Sequence, residues 1–166
     1  SLAGSGTYAL GSPLDVDGDL KIGSAILDSS LSGYTINLAG DFANYGGFNT
    51  SGTGKVVLDS PDTQTITGST VFWDLSATGT NTVNFAHNGR QSISGALLLQ
   101  NVTLRSTKAG SGARMLLDGS AGVQTVDTVD VKDNNATGGS AIVCDQWYEA
   151  CADSGGNTNW TFNSRS

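Results

Sequence analysis

The sequence predicts an all-β chain wound as a parallel β-helix, or β-solenoid, of about six or seven irregular coils. Three observations lead there. Apolar residues alternate with polar ones in short runs, the signature of half-buried strands. Helical i, i+3, i+4 spacing is interrupted by Gly, Thr, Asn and Ser nearly everywhere. Strand and turn segments also recur along the chain in related form, and such a unit cannot bury its apolar face until it stacks on a neighbour.

Taken in order, residues 1–13 read as an N-terminal segment, 14–132 as the coils and 133–166 as a C-terminal cap, all within one domain. The alternation opens at Leu14-Asp15-Val16-Asp17-Gly18-Asp19-Leu20-Lys21-Ile22 and resumes at Tyr34-Thr35-Ile36-Asn37-Leu38. Val16-Asp17-Gly18-Asp19-Leu20 is echoed by Leu38-Ala39-Gly40-Asp41-Phe42. Further on, Val56-Val57-Leu58 through Gln64-Thr65-Ile66-Thr67-Gly68 aligns with Val83-Asn84-Phe85 through Gln91-Ser92-Ile93-Ser94-Gly95. That alignment predicts that Gln64 stands over Gln91, and that Ile66, Ile93 and Val126 hold equivalent inward positions on successive coils. A looser third copy runs from Met115 to Val126, and Val123 to Val131 alternates once a phase slip at a Thr is allowed. The rival architecture is an antiparallel sandwich or jelly roll, which also has many short strands and turns.

Beyond Asp133 the pattern breaks into a turn cluster, Asn134 to Gly139, and then Cys144-Asp145-Gln146-Trp147-Tyr148-Glu149-Ala150-Cys151. Terminal units of a solenoid must differ from the middle to cover its open edges. A disulfide between Cys144 and Cys151 is the expected staple of that cap. The C-x6-C spacing lacks the second ligand pair of a zinc site, and His87, the single histidine, is remote in sequence.

Composition excludes several roles. Eight Lys and Arg against fifteen Asp and Glu give a net charge of −7, the wrong sign for a nucleic-acid partner. No apolar run reaches the roughly 18 residues of a membrane-crossing helix, so membrane insertion is not expected. A surface rich in Ser, Thr, Asn and Gly, with two closely spaced cysteines, points to an extracellular or cell-surface location.

The runs Val16 to Ile22, Tyr34 to Phe42, Gly54 to Leu58 and Gln64 to Gly68 resemble repeat segments of exported bacterial cell-surface, adhesin-like β-helix proteins. The Gly155-Gly156-Asn157-Thr158-Asn159-Trp160 ending is similar to theirs as well. The resemblance covers most of Leu14 to Phe162. It implies a spacer, stalk or binding surface within a larger protein, and it carries no catalytic residue onto any position here.

Candidate sites are few. His87 sits in the turn Ala86 to Arg90, where a lone histidine makes a poor basis for a Ser-His-Asp triad. Paired carboxylates could cleave glycosides, yet Asp59, Asp62 and Asp118 read as turn residues. Asp15, Asp17 and Asp19 offer a weak Ca2+ site, but Gly18 and Ile26 break the EF-hand pattern, and alternate residues on a strand are about 7 Å apart. No cofactor is otherwise expected. Trp147, Tyr148 and Trp160, with Asp145 and Gln146, combine aromatic faces with planar polar groups, a chemistry suited to gripping sugar rings; plugging the solenoid end is the competing role.

The sequence thus leads to a non-enzymatic extracellular module acting in adhesion or as a scaffold, with a carbohydrate-binding module of a secreted enzyme as the alternative. Partners would be a cell-surface or extracellular polysaccharide or protein.

Overall fold

In the computed structural model, residues 1–50, 52–110, 116–118, 122–145 and 151–163 are described. Among them there are twenty-one short strands and no helix. In chain order these are β1 (Thr7–Ala9), β2 (Leu14–Val16), β3 (Leu20–Ile22), β4 (Ile26–Asp28), β5 (Thr35–Leu38), β6 (Phe42–Asn44) and β7 (Gly47–Asn49). There follow β8 (Lys55–Leu58), β9 (Gln64–Gly68), β10 (Thr70–Phe72), β11 (Asp74–Thr78), β12 (Thr82–Phe85), β13 (Arg90–Ile93) and β14 (Leu97–Gln100). The last seven are β15 (Thr103–Ser106), β16 (Leu116–Asp118), β17 (Gln124–Asp127), β18 (Asp130–Val131), β19 (Ile142–Asp145), β20 (Ala152–Asp153) and β21 (Trp160–Asn163).

The described strands pair only in parallel, each with strands one turn away, so the chain is a staircase of stacked rungs and not a sandwich. A first face stacks β2, β5, β8, β11, β14 and β17; a second stacks β3, β6, β9, β12, β15, β18 and β20. The third face is split into β1-β4-β7 and β10-β13-β16. The solenoid makes about seven turns. Rung length varies from 18 residues, between Ile142 and its neighbour Trp160, to 27, between Leu97 and Gln124. Insertions are absorbed at corners, where added residues do not disturb the strand register.

Alternation on most of the strands places every second residue inside, and stacking turns these into ladders. On the first face the ladder runs Val16, Leu38, Leu58, Ala77, Leu99, Val126. On the second it runs Leu20, Phe42, Ile66, Phe85. All of these but Val16 are buried. Phe42, Phe48 and Phe72 fill the middle rungs with ring centroids 5.4 to 5.9 Å apart, in the edge and tilted arrangements that aromatic rings favour.

The long alternating runs are each broken by a corner. Leu14 to Ile22 divides into β2 and β3 around Asp17-Gly18-Asp19, and Val123 to Val131 into β17 and β18 around Thr128, whose φ is +53°. The Val16/Leu38 and Leu20/Phe42 echo is true rung equivalence. A Cβ on Gly40 would lie 2.3 Å from the Gly18 carbonyl carbon, so this corner packs backbone on backbone and only glycine fits.

The Gln64/Gln91 alignment is overturned. Gln64 opens β9 on the second face, whereas Gln91 lies in β13 on the third, beside Thr70. Ile66, Ile93 and Val126 all point inward, but from the second, third and first faces respectively. The physical reason is that both glutamines do the same work at two different corners. Gln64 Nε2 donates to the Gly40 carbonyl at 2.8 Å and Gln91 Nε2 to the Gly68 carbonyl at 2.6 Å, each tying its rung to the one before. Asp118, read as a turn residue, ends strand β16.

The segment read as the C-terminal cap of this single domain carries on the parallel winding. Asn135 bridges Thr158, β18 pairs with β20, and β19 pairs with β21, all in parallel. Cys144 and Cys151 form a disulfide with Cα atoms 6.2 Å apart, both half-cystines buried, across the corner between β19 and β20.

Candidate functional site

Two places concentrate polar chemistry: the C-terminal rungs and a groove along the corner between the first and second faces. At the C-terminal end, Trp160 stands beside Ile142 and Phe162 beside Cys144. Since Ile142 and Cys144 are fully buried and inward, Trp160 and Phe162 face the solenoid axis as well. Their rings stack with centroids 5.9 Å apart and planes at 15°, and both pack against the core. The indole N–H of Trp160 donates to Asn134 Oδ1. An asparagine set braces this region: Asn157 Nδ2 donates to the Val131 carbonyl at 2.9 Å, Asn157 Oδ1 accepts from the Asn134 N–H, and Asn159 Nδ2 donates to the Ala136 carbonyl. Trp160 is thus half-buried against the core, with its ring stacked on Phe162. Gln146, Trp147 and Tyr148 lie outside the described residues, and of Asp145 only the strand placement is described.

The groove, of about 340 Å3, is lined by Thr80, Asn101, Val102, Thr103, Thr128, Val129 and Asp130. Two successive corners build it. Asn101 and Thr128 are neighbours, the Asn101 N–H donating to the Asp127 carbonyl, and both have positive φ, +55° and +53°. That left-handed turn swings Val102 and Val129 into the core, where both are buried, and leaves a hydroxyl- and amide-lined trough outside. Sequence reasoning missed this groove, although its signal was present in the echo of Asn101-Val102-Thr103 by Thr128-Val129-Asp130.

At one end of the groove, Arg105 pairs with Asp130 at 2.5 Å and also donates to the Asp130 carbonyl, while the Ser154 hydroxyl donates to Asp130 Oδ1 at 2.6 Å. Desolvation works to raise the Asp130 pKa, but the hydrogen bonds from Arg105 and Ser154, aided by the charges of Arg105 and Lys132, outweigh it and hold the carboxyl below its ordinary range. The carboxylate is thus held ionised, as an acceptor already engaged, which suits a structural pair better than a general acid or base.

The other expected sites are dispersed. Asp15 is outward on β2, Asp17 is exposed at the corner, and Asp19 accepts the Asp41 N–H at 2.9 Å. Among the described residues no three His, Cys, Asp or Glu side chains converge as a metal ion would require. His87 is exposed in its turn, and its ring Nδ1 lies 3.5 Å from the Thr107 hydroxyl. Among the described residues, no helix is long and apolar enough to cross a membrane.

No protein-family model, curated protein or solved structure matches the chain.

Proposed function

We propose that this chain is a non-enzymatic extracellular module, a rigid segment of an exported bacterial surface or secreted protein that serves as an adhesion or structural scaffold. The observation that carries the reading is the seven-stranded parallel sheet running the length of the solenoid, with backbone hydrogen bonds directed along its axis. With strands about 4.8 Å apart, seven rungs make a rod of about 34 Å whose extension is resisted by every ladder bond. The Cys144–Cys151 disulfide supports an oxidising compartment. Commitment of Asp130 to Arg105 and Ser154 supports a structural use of the best-placed carboxylate.

The test places the chain between a bacterial surface anchor and a reporter domain. The reading expects export with the disulfide formed, a reporter held off the surface by the length of the rod, and no sugar released from a panel of polysaccharides. Sugar release would overturn the non-enzymatic role, and free thiols after export would overturn the extracellular one. Saturable binding on a glycan array that is abolished by Trp147→Ala would shift the reading to the carbohydrate-binding alternative.

A further inference from the structure

The third face is where the winding is least regular. β7 and β10 lie against one another yet share no backbone ladder, whereas the first and second faces run unbroken through the same rungs. Side chains bridge the gap: Asn44 Nδ2 donates to the Thr70 hydroxyl at 3.1 Å, and the Thr50 hydroxyl donates to the Val71 carbonyl at 3.4 Å. Three large apolar side chains stay exposed around this break, Tyr45 at 61%, Val71 at 55% and Ile26 at 42%. Beside it lies a hollow of about 230 Å3 lined by Ser69, Thr70, Val71, Arg90 and Ser92.

The register fixes how these groups are arranged. Asn44 pairs with Gly68 and Thr70 with Gln91, so Tyr45, Ser69 and Arg90 stand in one column along the corner between the second and third faces. Glycines lock that column, because a Cβ on Gly68 would collide with the Asn44 carbonyl oxygen and one on Gly89 with the Gly68 carbonyl oxygen. Ser69 is the small member between two long ones, and its Oγ accepts the Arg90 N–H at 3.2 Å, so the column dips there between an aromatic ring and a guanidinium. In the neighbouring column Ile26 lies beside Gly47 and Val71 beside Ser92, which gives the dip an apolar flank. Lys21 Nζ, 5.6 Å from the centroid of the Tyr45 ring, adds a cation at the aromatic end. Asp118 follows Ser92 in register on the far side, so the cationic edge of this surface is the Tyr45-to-Arg90 corner.

We infer that this corner is a binding site for an acidic saccharide, with one sugar ring stacked on Tyr45 and the acidic group of the next ring at Arg90. Tyr45 and Arg90 stand two strand spacings apart, about 10 Å, a span that two linked rings cover. The mixture of groups fits that chemistry: the C–H face of a sugar for the aromatic ring, its hydroxyls for Ser69 and Ser92, and a carboxylate or sulfate for Arg90 and Lys21. A peptide would bind such a wall by adding a strand, and β7 lies too close to β10 to admit one between them. The inference goes beyond the scaffold reading by naming a ligand class for adhesion. A rod that spaces a reporter yet ignores acidic sugars would refute this site alone, whereas failed export would overturn the scaffold reading and leave the site standing.

Titration calorimetry of the purified chain with a hexamer of mannuronic acid, and with the uncharged mannose hexamer as control, tests it. The acidic hexamer should bind saturably, about tenfold tighter than the neutral one, and more weakly as salt is raised. Tyr45→Ala and Arg90→Gln should each weaken binding about tenfold, while Tyr45→Phe, which keeps the ring, should change it by less than about twofold. Both side chains are exposed, so the variants should keep the parent's β-sheet circular dichroism spectrum. The inference is overturned by an absence of saturable binding, by equal affinity for the neutral hexamer, by folded variants that bind as the parent does, or by a glutamate hexapeptide that binds as tightly as the acidic sugar.

Discussion

The Asp19 carboxylate accepts the backbone N–H of Asp41, its equivalent one rung along, at 2.9 Å, and the Asp41 carboxylate repeats the contact to the Thr65 N–H at 2.7 Å. Asp74 does the same for the Ala96 N–H at 2.6 Å. Side-chain oxygens thus continue the ladder at corners, where strand pairing lapses and backbone donors would otherwise rely on water. Asp41→Ala should destabilise the chain by about 1 kcal/mol, the net worth of one such bond, and Asp41→Asn by less because its amide oxygen can still accept. Urea unfolding of the three proteins measures the order.

Thr128 is β-branched and has a φ of +53°, a conformation that costs such residues about 1 to 2 kcal/mol. Thr128→Gly should therefore stabilise the solenoid by about 1 kcal/mol, offset in part by the loss of its hydroxyl bond to Asp127 Oδ1. Thermal unfolding decides the sign. A destabilised variant would mean that the hydroxyl contact outweighs the backbone strain.

Because the Asp130 pKa is depressed below its ordinary 3.8, its ionised form stabilises the fold. That contribution is fully present above pH 3.8 and is lost as pH falls through the depressed folded value. Both partners are about a third exposed, so the pair is worth at most about 1 kcal/mol. In Arg105→Gln the Asp130 carboxyl should titrate at higher pH, followed by carboxyl-carbon NMR. An unmoved titration would show that Arg105 is not what holds it.

Reduction of Cys144–Cys151 should cost about 2 to 3 kcal/mol, the loop-closure value for so short a ring. Since the bridge spans the corner between β19 and β20, hydrogen exchange should quicken in those strands and in β21 first, while β5 to β15 keep their protection. Uniform loss of protection would show that the bridge supports the entire solenoid.

The fold class was legible because alternation and repetition are both local properties. Val16/Leu38 and Leu20/Phe42 gave the register correctly, since Gly18 and Gly40 pin one corner in each of two adjacent rungs. Gln64 and Gln91 misled because a glutamine that turns inward to a preceding carbonyl serves any corner, so likeness between the two reports corner chemistry and not rung equivalence. The groove at Asn101 and Thr128 was harder to read, because positive φ at non-glycine residues leaves little trace in sequence. Trp160 was placed in both a plugging and a sugar-gripping role, and only its pairing with Ile142 reveals the inward face.

Spin labels on Asn37 of β5, Thr125 of β17 and Thr161 of β21 test the continuous parallel winding most directly, through dipolar distances measured in pairs. Four strand spacings separate β5 from β17 and six separate it from β21, so backbone separations of about 19 Å and about 29 Å are expected, each as one narrow distribution. Equal distances for the two pairs, or a broad distribution from Asn37 to Thr161, would contradict a single rod running from Leu14 to Asn163.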